Sequence, residues 1–165
     1  MTPGAKTRAP SIGEDIGQQR PFRTKSQEAL LGLVRTADDA KRRVGEIVER
    51  AGITLQQYNV LRILRGGDER GLPTLLLGER IIERTPGVTR LIDRMEKKGL
   101  VTRERCTEDR RRVWCRITPR GLATLGPLDE PVNDADDSIF APLDDCELER
   151  LMEYLDRVRA HLADR

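Results

Sequence analysis

The chain has 165 residues, 37% hydrophobic and 35% charged but only 3% aromatic, with a formal net charge of +2; that is about one domain, with a core of Leu, Ile, Val and Ala. No stretch nears the ~18 apolar residues of a membrane-spanning helix, and no secretory-type apolar run opens the chain. Three cysteines without a C-x-x-C pair, and a single histidine, argue against a disulfide framework or a Cys/His zinc site, so the expectation is a reducing cytoplasm with no metal, cofactor or membrane.

Charge is unevenly placed. Residues 1–25 carry five basic and two acidic groups, and residues 26–79 carry eight of each. Residues 80–120 hold thirteen basic against six acidic groups, and residues 121–165 reverse this with four against twelve. A cationic middle can serve as a polyanion footprint on a nearly neutral chain. A merely solvated charged face would carry the same charges.

In chain order, residues 1–23 contain Pro3, Pro10 and Pro21 and show no helical or strand period, which predicts a disordered basic arm. Leu30, Leu33, Ala37, Ala40, Val44, Ile47 and Ala51 then recur at alternating spacings of three and four. That is an apolar seam on a long helix ended by Gly52. Thr54 and Gln57 have capping-box spacing and open a second helix, with Tyr58 as a half-buried aromatic and Gly66-Gly67 as its stop. A short helix should follow Pro73, packing through Leu75, Leu76 and Ile81.

The next helix has the clearest signature. Thr85 suits the N-cap and Pro86 the first helical position, where a missing N–H costs nothing. Val88, Leu91, Ile92 and Met95 fall on one stripe; Thr89, Arg90, Asp93, Arg94 and Lys97 fall on the other faces, and Gly99 closes the helix. Residues 100–106 and 112–118 read as two strands, the second alternating Val113, Cys115 and Ile117 with Trp114 and Arg116. The turn between them, Thr107 to Arg111, holds nothing apolar. Thr118-Pro119 starts a further helix that Pro127 and Pro131 should kink or break. Asp144 and Glu147 cap a last helix, with Leu148, Leu151, Leu155, Val158 and Leu162 again at three-four spacing.

Two short helices followed by a hairpin make a winged helix-turn-helix: mainly α, with a small β-hairpin wing and long helices at both ends. The second helix of the pair can enter a major groove, and an Arg-rich hairpin tip can reach the adjacent minor groove. The run Val88-Thr89-Arg90-Leu91-Ile92-Asp93-Arg94-Met95-Glu96-Lys97-Lys98-Gly99-Leu100-Val101, followed by Asp109-Arg110-Arg111, Val113, Cys115, Ile117-Thr118 and Gly121, resembles the MarR (multiple-antibiotic-resistance regulator) family of transcription factors. The resemblance covers roughly residues 27 to 162. It departs from the common pattern at Gly78, at Ile82-Glu83 and at Arg84-Thr85-Pro86-Gly87, which would face the groove.

The resemblance implies a homodimer with interlocked terminal helices and a repressor bound to a pseudo-palindromic double-stranded operator. It also implies release by a small apolar or aromatic effector, in a cleft between the dimer helices and the DNA-binding lobe. The corresponding division is a basic arm (1–23), dimerisation helices (24–51 and 119–165) and a DNA-binding lobe (52–118). The expected DNA contacts are Thr85, Pro86, Gly87, Thr89, Arg90 and Arg94 on the helix, and Asp109, Arg110 and Arg111 at the wing. Arg111 is the minor-groove guanidinium, with Asp109 orienting it; Arg110 and Arg112 meet phosphates or solvent. The Tyr58 hydroxyl is the candidate effector contact.

Two other readings are kept. Cys106 lies near Arg103 and Arg105, which could lower its thiol pKa and make a redox sensor. A winged helix can also bind another protein. No G-x-S-x-G, H-E-x-x-H, Walker or G-x-G-x-x-G motif suggests an enzyme, and His161 has no partner motif.

Overall fold

The structure, a computed structural model, describes residues 10–68, 70–82, 87–105 and 112–164. The chain forms two compact units, 1–42 and 43–165, whose boundary falls inside one long helix.

In the first unit, helix α1 (Ile12–Asp15) is a single turn held by a capping box between Ser11 and Glu14. Over residues 10–23 this departs from the expected disordered arm; residues 1–9 of that arm lie outside the described residues. A four-residue helix is too short to show an apolar period, and only the Ser-x-x-Glu spacing announces it. Helix α2 (Lys25–Arg50) starts before the first seam residue, with Thr24 Oγ1 accepting from the Gln27 amide at 3.1 Å. Arg35 reaches Asp15 at 3.2 Å and Asp39 at 3.4 Å. Leu30 and Val34, on the seam side of the helix, are 60% and 58% exposed.

In the second unit, the end of α2 buries Val48, with Val44 and Ile47 packed beside the core. Gly52 turns the chain at φ +75°. Helix α3 (Leu55–Arg65) then starts with the Thr54–Gln57 capping box and stops at Gly66. Strand β1 (Leu72–Pro73) leads into helix α4 (Thr74–Arg80) and helix α5 (Val88–Lys97). Strands β2 (Val101–Arg105) and β3 (Val113–Ile117) pair antiparallel, and β1 adds to the other side of β3 with Leu72 opposite Cys115. The sheet order β1-β3-β2 contains one strand more than expected. A two-residue strand has no alternation to read. Gly71 lets β1 approach: its φ is +85°, and a Cβ there would stand 2.3 Å from the Cys115 carbonyl oxygen.

Ile81 is buried as expected, just past the end of α4, but the helix itself buries Leu77, not Leu75 and Leu76; Leu75 is 78% exposed. Within the helix only Leu77 turns inward, and Ile81 is buried as the extended residue that follows it. Helix α6 (Pro119–Leu125) passes through a 3₁₀ turn (Gly126–Leu128) into helix α7 (Asp129–Phe140). Pro127 interrupts the helix as expected. Pro131 does not break α7, because it sits in the first turn, where backbone N–H groups have no intrahelical partner. Helix α8 (Asp145–Ala163), capped by Asp144 and Glu147, buries no residue; Val158 and Leu162 are exposed. The core gathers α3, α4, α5, the sheet and α6 around Leu61, Leu77, Ile92, Met95, Val101 and Leu125. No helix of the described residues is long and apolar enough to cross a membrane.

Candidate nucleic-acid interface

Helix α5 begins at Val88, with Gly87 as its N-cap at φ +123° and no side-chain cap. This corrects the expected start at Thr85-Pro86. A glycine in a conformation that side chains rarely adopt sets the boundary instead. Thr85 and Pro86 lie outside the described residues, as do Cys106, Asp109, Arg110 and Arg111.

Leu91, Ile92 and Met95 anchor the inner stripe of α5, and Val88 is half-buried against Gly78. Gly87, Thr89, Arg90, Arg94 and Lys97 are exposed. At ~100° per residue, Thr89, Asp93, Lys97, Arg90 and Arg94 fall at about 0, 40, 80, 100 and 140° around the helix. They form one continuous outer arc, opposite the buried stripe. Among the described residues, the Arg90, Arg94 and Lys97 head groups make no ion pair or hydrogen bond, so their charge is available to a polyanion.

The carboxylates of the helix are handled differently. Arg103, on β2, places Nη1 2.7 Å from Asp93 Oδ1. It also donates to Glu96 Oε2 from Nη2 at 2.6 Å and Nε at 3.0 Å, and from its backbone N–H to Glu96 Oε1 at 3.1 Å. The hydrogen bond from Arg103 holds the Glu96 carboxyl below its ordinary pKa, and the same bond holds the guanidinium pKa up. Arg103 therefore belongs to the protein's own charge balance, although sequence alone counts it in the basic block. No spacing rule links a helix glutamate to a strand arginine seven positions on, so sequence reasoning missed this pair.

Two other cations are similarly engaged. Lys98 Nζ donates to the Gly52 carbonyl at 2.9 Å and to Gln57 Oε1 at 3.3 Å, tying the end of α5 to the start of α3. Arg116 Nε donates to the Arg70 carbonyl at 2.8 Å, and Nη1 lies 3.2 Å from Glu104. A groove of about 470 Å³ between these helices is lined by Thr54, Gln56, Gln57, Arg94, Lys97 and Lys98.

The base of the wing is fixed by Thr118. Its hydroxyl donates to the Gly99 carbonyl at 2.7 Å and accepts from the Gly121 amide at 2.9 Å, and its backbone N–H donates to Leu100 O at 3.1 Å. Thr118 thus caps α6 and closes the turn after α5 in one place. Trp114 is half-buried, opposite Glu104 and Pro73. Cys115 is fully buried, and burial pushes its thiol pKa up to about 11. Tyr58 is buried, not half-buried: it is 3% exposed, with the Arg62 guanidinium 5.7 Å from the ring centre. Burial also raises its hydroxyl pKa.

A short helix, a second helix with an exposed cationic outer arc, and an antiparallel ribbon locked to its end define a winged helix-turn-helix. In this architecture one helix is presented to a groove of DNA. The chain belongs to the MarR family of transcriptional regulators, whose family profile matches residues 53–113. It is 38% identical to a MarR transcription factor from Planctomyces limnophilus, over 82% of this chain and 98% of that one, with a TM-score of 0.63. It is 28% identical to the HTH-type transcriptional regulator FarR of Neisseria gonorrhoeae, over 72% of this chain and 80% of that protein. Its fold is also similar to Sco3205, a MarR family regulator from Streptomyces coelicolor solved in complex with DNA. There the TM-score is 0.76, with 24% identity over 87% of this chain and 92% of that one.

Proposed function

We propose that this regulator is a repressor that binds a pseudo-palindromic double-stranded operator as a homodimer, in the cytoplasm, without enzymatic activity, and leaves the operator when a small apolar or aromatic effector binds. The observation that carries the reading is the outer arc of α5, where Arg90, Arg94 and Lys97 stand beside Thr89 with no partner among the described residues while both neighbouring carboxylates are bound to Arg103. Thr89, Arg90 and Arg94 are the proposed groove contacts, with Gly87 allowing close backbone approach. Thr85, Pro86, Asp109, Arg110 and Arg111 complete the proposed set, with Arg111 directed at the minor groove.

Two exposed apolar seams support the dimer: Leu30, Leu33 and Val34 on α2, and Met152, Val158 and Leu162 on α8. Left in water, such stripes favour association. A two-fold dimer sets its recognition helices ~34–36 Å apart, one turn of DNA, and so requires a pseudo-palindrome. The corresponding division of labour is residues 24–51 and 119–165 for assembly, and residues 52–118 for DNA.

The test starts from selection of duplexes out of a random-sequence pool. The selected sites should be pseudo-palindromic. Arg90→Ala, Arg94→Ala and Arg111→Ala should each weaken binding by ~1–3 kcal/mol, and the logarithm of affinity should fall linearly with the logarithm of salt. Undiminished affinity in all three variants would overturn the interface. Tyr58→Phe tests the hydroxyl as an effector contact: a changed effector concentration for release supports it, and an unchanged one removes Tyr58 from the set.

A further inference from the structure

Asp93 is placed where a DNA-binding helix should not carry a negative charge. On the outer arc it falls between Thr89 and Lys97, one step from Arg90 and Arg94, so a phosphate approaching those cations also approaches this carboxylate. Glu96 adds a second negative charge one turn further along the helix's edge. Both carboxylates converge on one guanidinium, at 2.7 and 2.6 Å. The Arg103 side chain is 29% exposed, against 42% for Asp93 and 38% for Glu96. The same guanidinium fastens the beginning of the wing to the recognition helix, and its backbone N–H adds a further bond to Glu96.

We propose that Arg103 is a positioning residue for DNA binding: it cancels the charge of Asp93 and Glu96 within the DNA-facing surface and holds β2 in register with α5. The proposal rests on the DNA-binding reading above. It assigns to a residue that need not touch DNA an effect on DNA affinity through charge. Without the guanidinium, two carboxylates would face phosphates in a site whose attraction depends on three cations. Long-range repulsion of this kind is screened by salt, with a Debye length of ~10 Å at 0.1 M. A purely structural defect is not.

The experiment measures binding of the intact protein to a selected duplex by fluorescence anisotropy between 50 and 500 mM salt. R103Q is expected to bind about tenfold more weakly at low salt, with the deficit shrinking as salt rises. The triple variant R103Q/D93N/E96Q should return to within about threefold of wild type, because the charge to be cancelled is gone. R103K should lie between, since it keeps the charge but loses the two-pronged geometry. Wild-type affinity in R103Q overturns the proposal; so does a deficit that is independent of salt and unrescued in the triple variant, which would leave Arg103 a packing residue. Where R103Q does not fold, D93N/E96Q decides: equal or tighter binding than wild type supports charge cancellation, and weaker binding overturns it. A wild-type protein that prefers no selected duplex over random DNA overturns the DNA-binding reading itself, an outcome distinct from all of these.

Discussion

Gly121→Ala should destabilise the protein far more than one methyl group suggests. A Cβ at this position would stand 2.3 Å from the Leu100 carbonyl oxygen and 2.8 Å from Ile117 Cγ1. Real carbon–oxygen contacts need about 1 Å more, and neither neighbour is free to yield. The Leu100 carbonyl is backbone at the start of β2 and accepts the Thr118 N–H at 3.1 Å. Relief must therefore come from moving the first turn of α6 away from the wing. That motion stretches the Thr118 N–H bond and the Thr118 hydroxyl bond to Gly99 O. Overpacking a tight site costs ~1–3 kcal/mol, and each strained hydrogen bond adds up to ~1 kcal/mol. The total is about 3 kcal/mol, a large share of the ~5–15 kcal/mol of a typical domain. Urea unfolding at fixed protein concentration measures it as a lower midpoint at similar slope. Gly126→Ala is the internal control: its φ is −55° and nothing lies within 4 Å of the added carbon, so its midpoint should match or slightly exceed wild type. A Gly121→Ala midpoint within error of Gly126→Ala would refute the argument, showing that the α6–wing junction is soft.

Alkylation at pH 8 should mark Cys146, which is exposed, in the folded protein, and Cys115, buried with its pKa raised, only in denaturant; peptide mass mapping checks this, and native labelling of Cys115 would contradict the packing of β3. Arg65 holds Asp129 through two hydrogen bonds of 2.7 and 2.8 Å, which lower the Asp129 pKa below 3.8 in the folded state. The stability from this pair is fully present above that unfolded value and is lost as pH falls through the depressed folded one. Asp129→Asn should thus cost ~0–1 kcal/mol at pH 6, and its gap from wild type in urea midpoint should close in stronger acid; a gap that widened there would reverse the sign of the argument. Removing residues 144–165 should leave the α2 seam without its proposed cover and yield monomers or aggregates with no preference for a selected site. Sedimentation of the intact protein as a monomer at micromolar concentration, with full site affinity, would overturn the dimer.

Much of the proposed interface was legible because its rules are local. The stripe Val88, Leu91, Ile92 and Met95 left Thr89, Arg90 and Arg94 outward by arithmetic alone, and the structure keeps them exposed. The capping pairs Thr54–Gln57 and Asp144–Glu147, and Thr118 ahead of Pro119, stand where their spacing put them. Each needs only neighbours within one helical turn. Errors arose where a local rule had competitors. Leu75, Leu76 and Leu77 are equally apolar, so composition could not choose which of them turns inward. Thr85-Pro86 made a good helix start on paper, but Gly87 begins the helix two residues later.

By itself the sequence determined the order of helices, the hairpin, the apolar stripes and the cationic block, because periodicity, caps and glycine stops act over a few residues. Only the tertiary structure decided which charges of that block are available. Among the described residues Arg90, Arg94 and Lys97 have no charge partner, whereas Arg103, Lys98 and Arg116 are occupied by Glu96, the Gly52 carbonyl and the Arg70 carbonyl. Those partners lie 7, 46 and 46 positions away, and chain distance carries no information about which ends meet. The close approaches at Gly71 and Gly121 have the same origin. They are set by a backbone carbonyl from another element, and the sequence shows only a glycine whose missing side chain makes room for it.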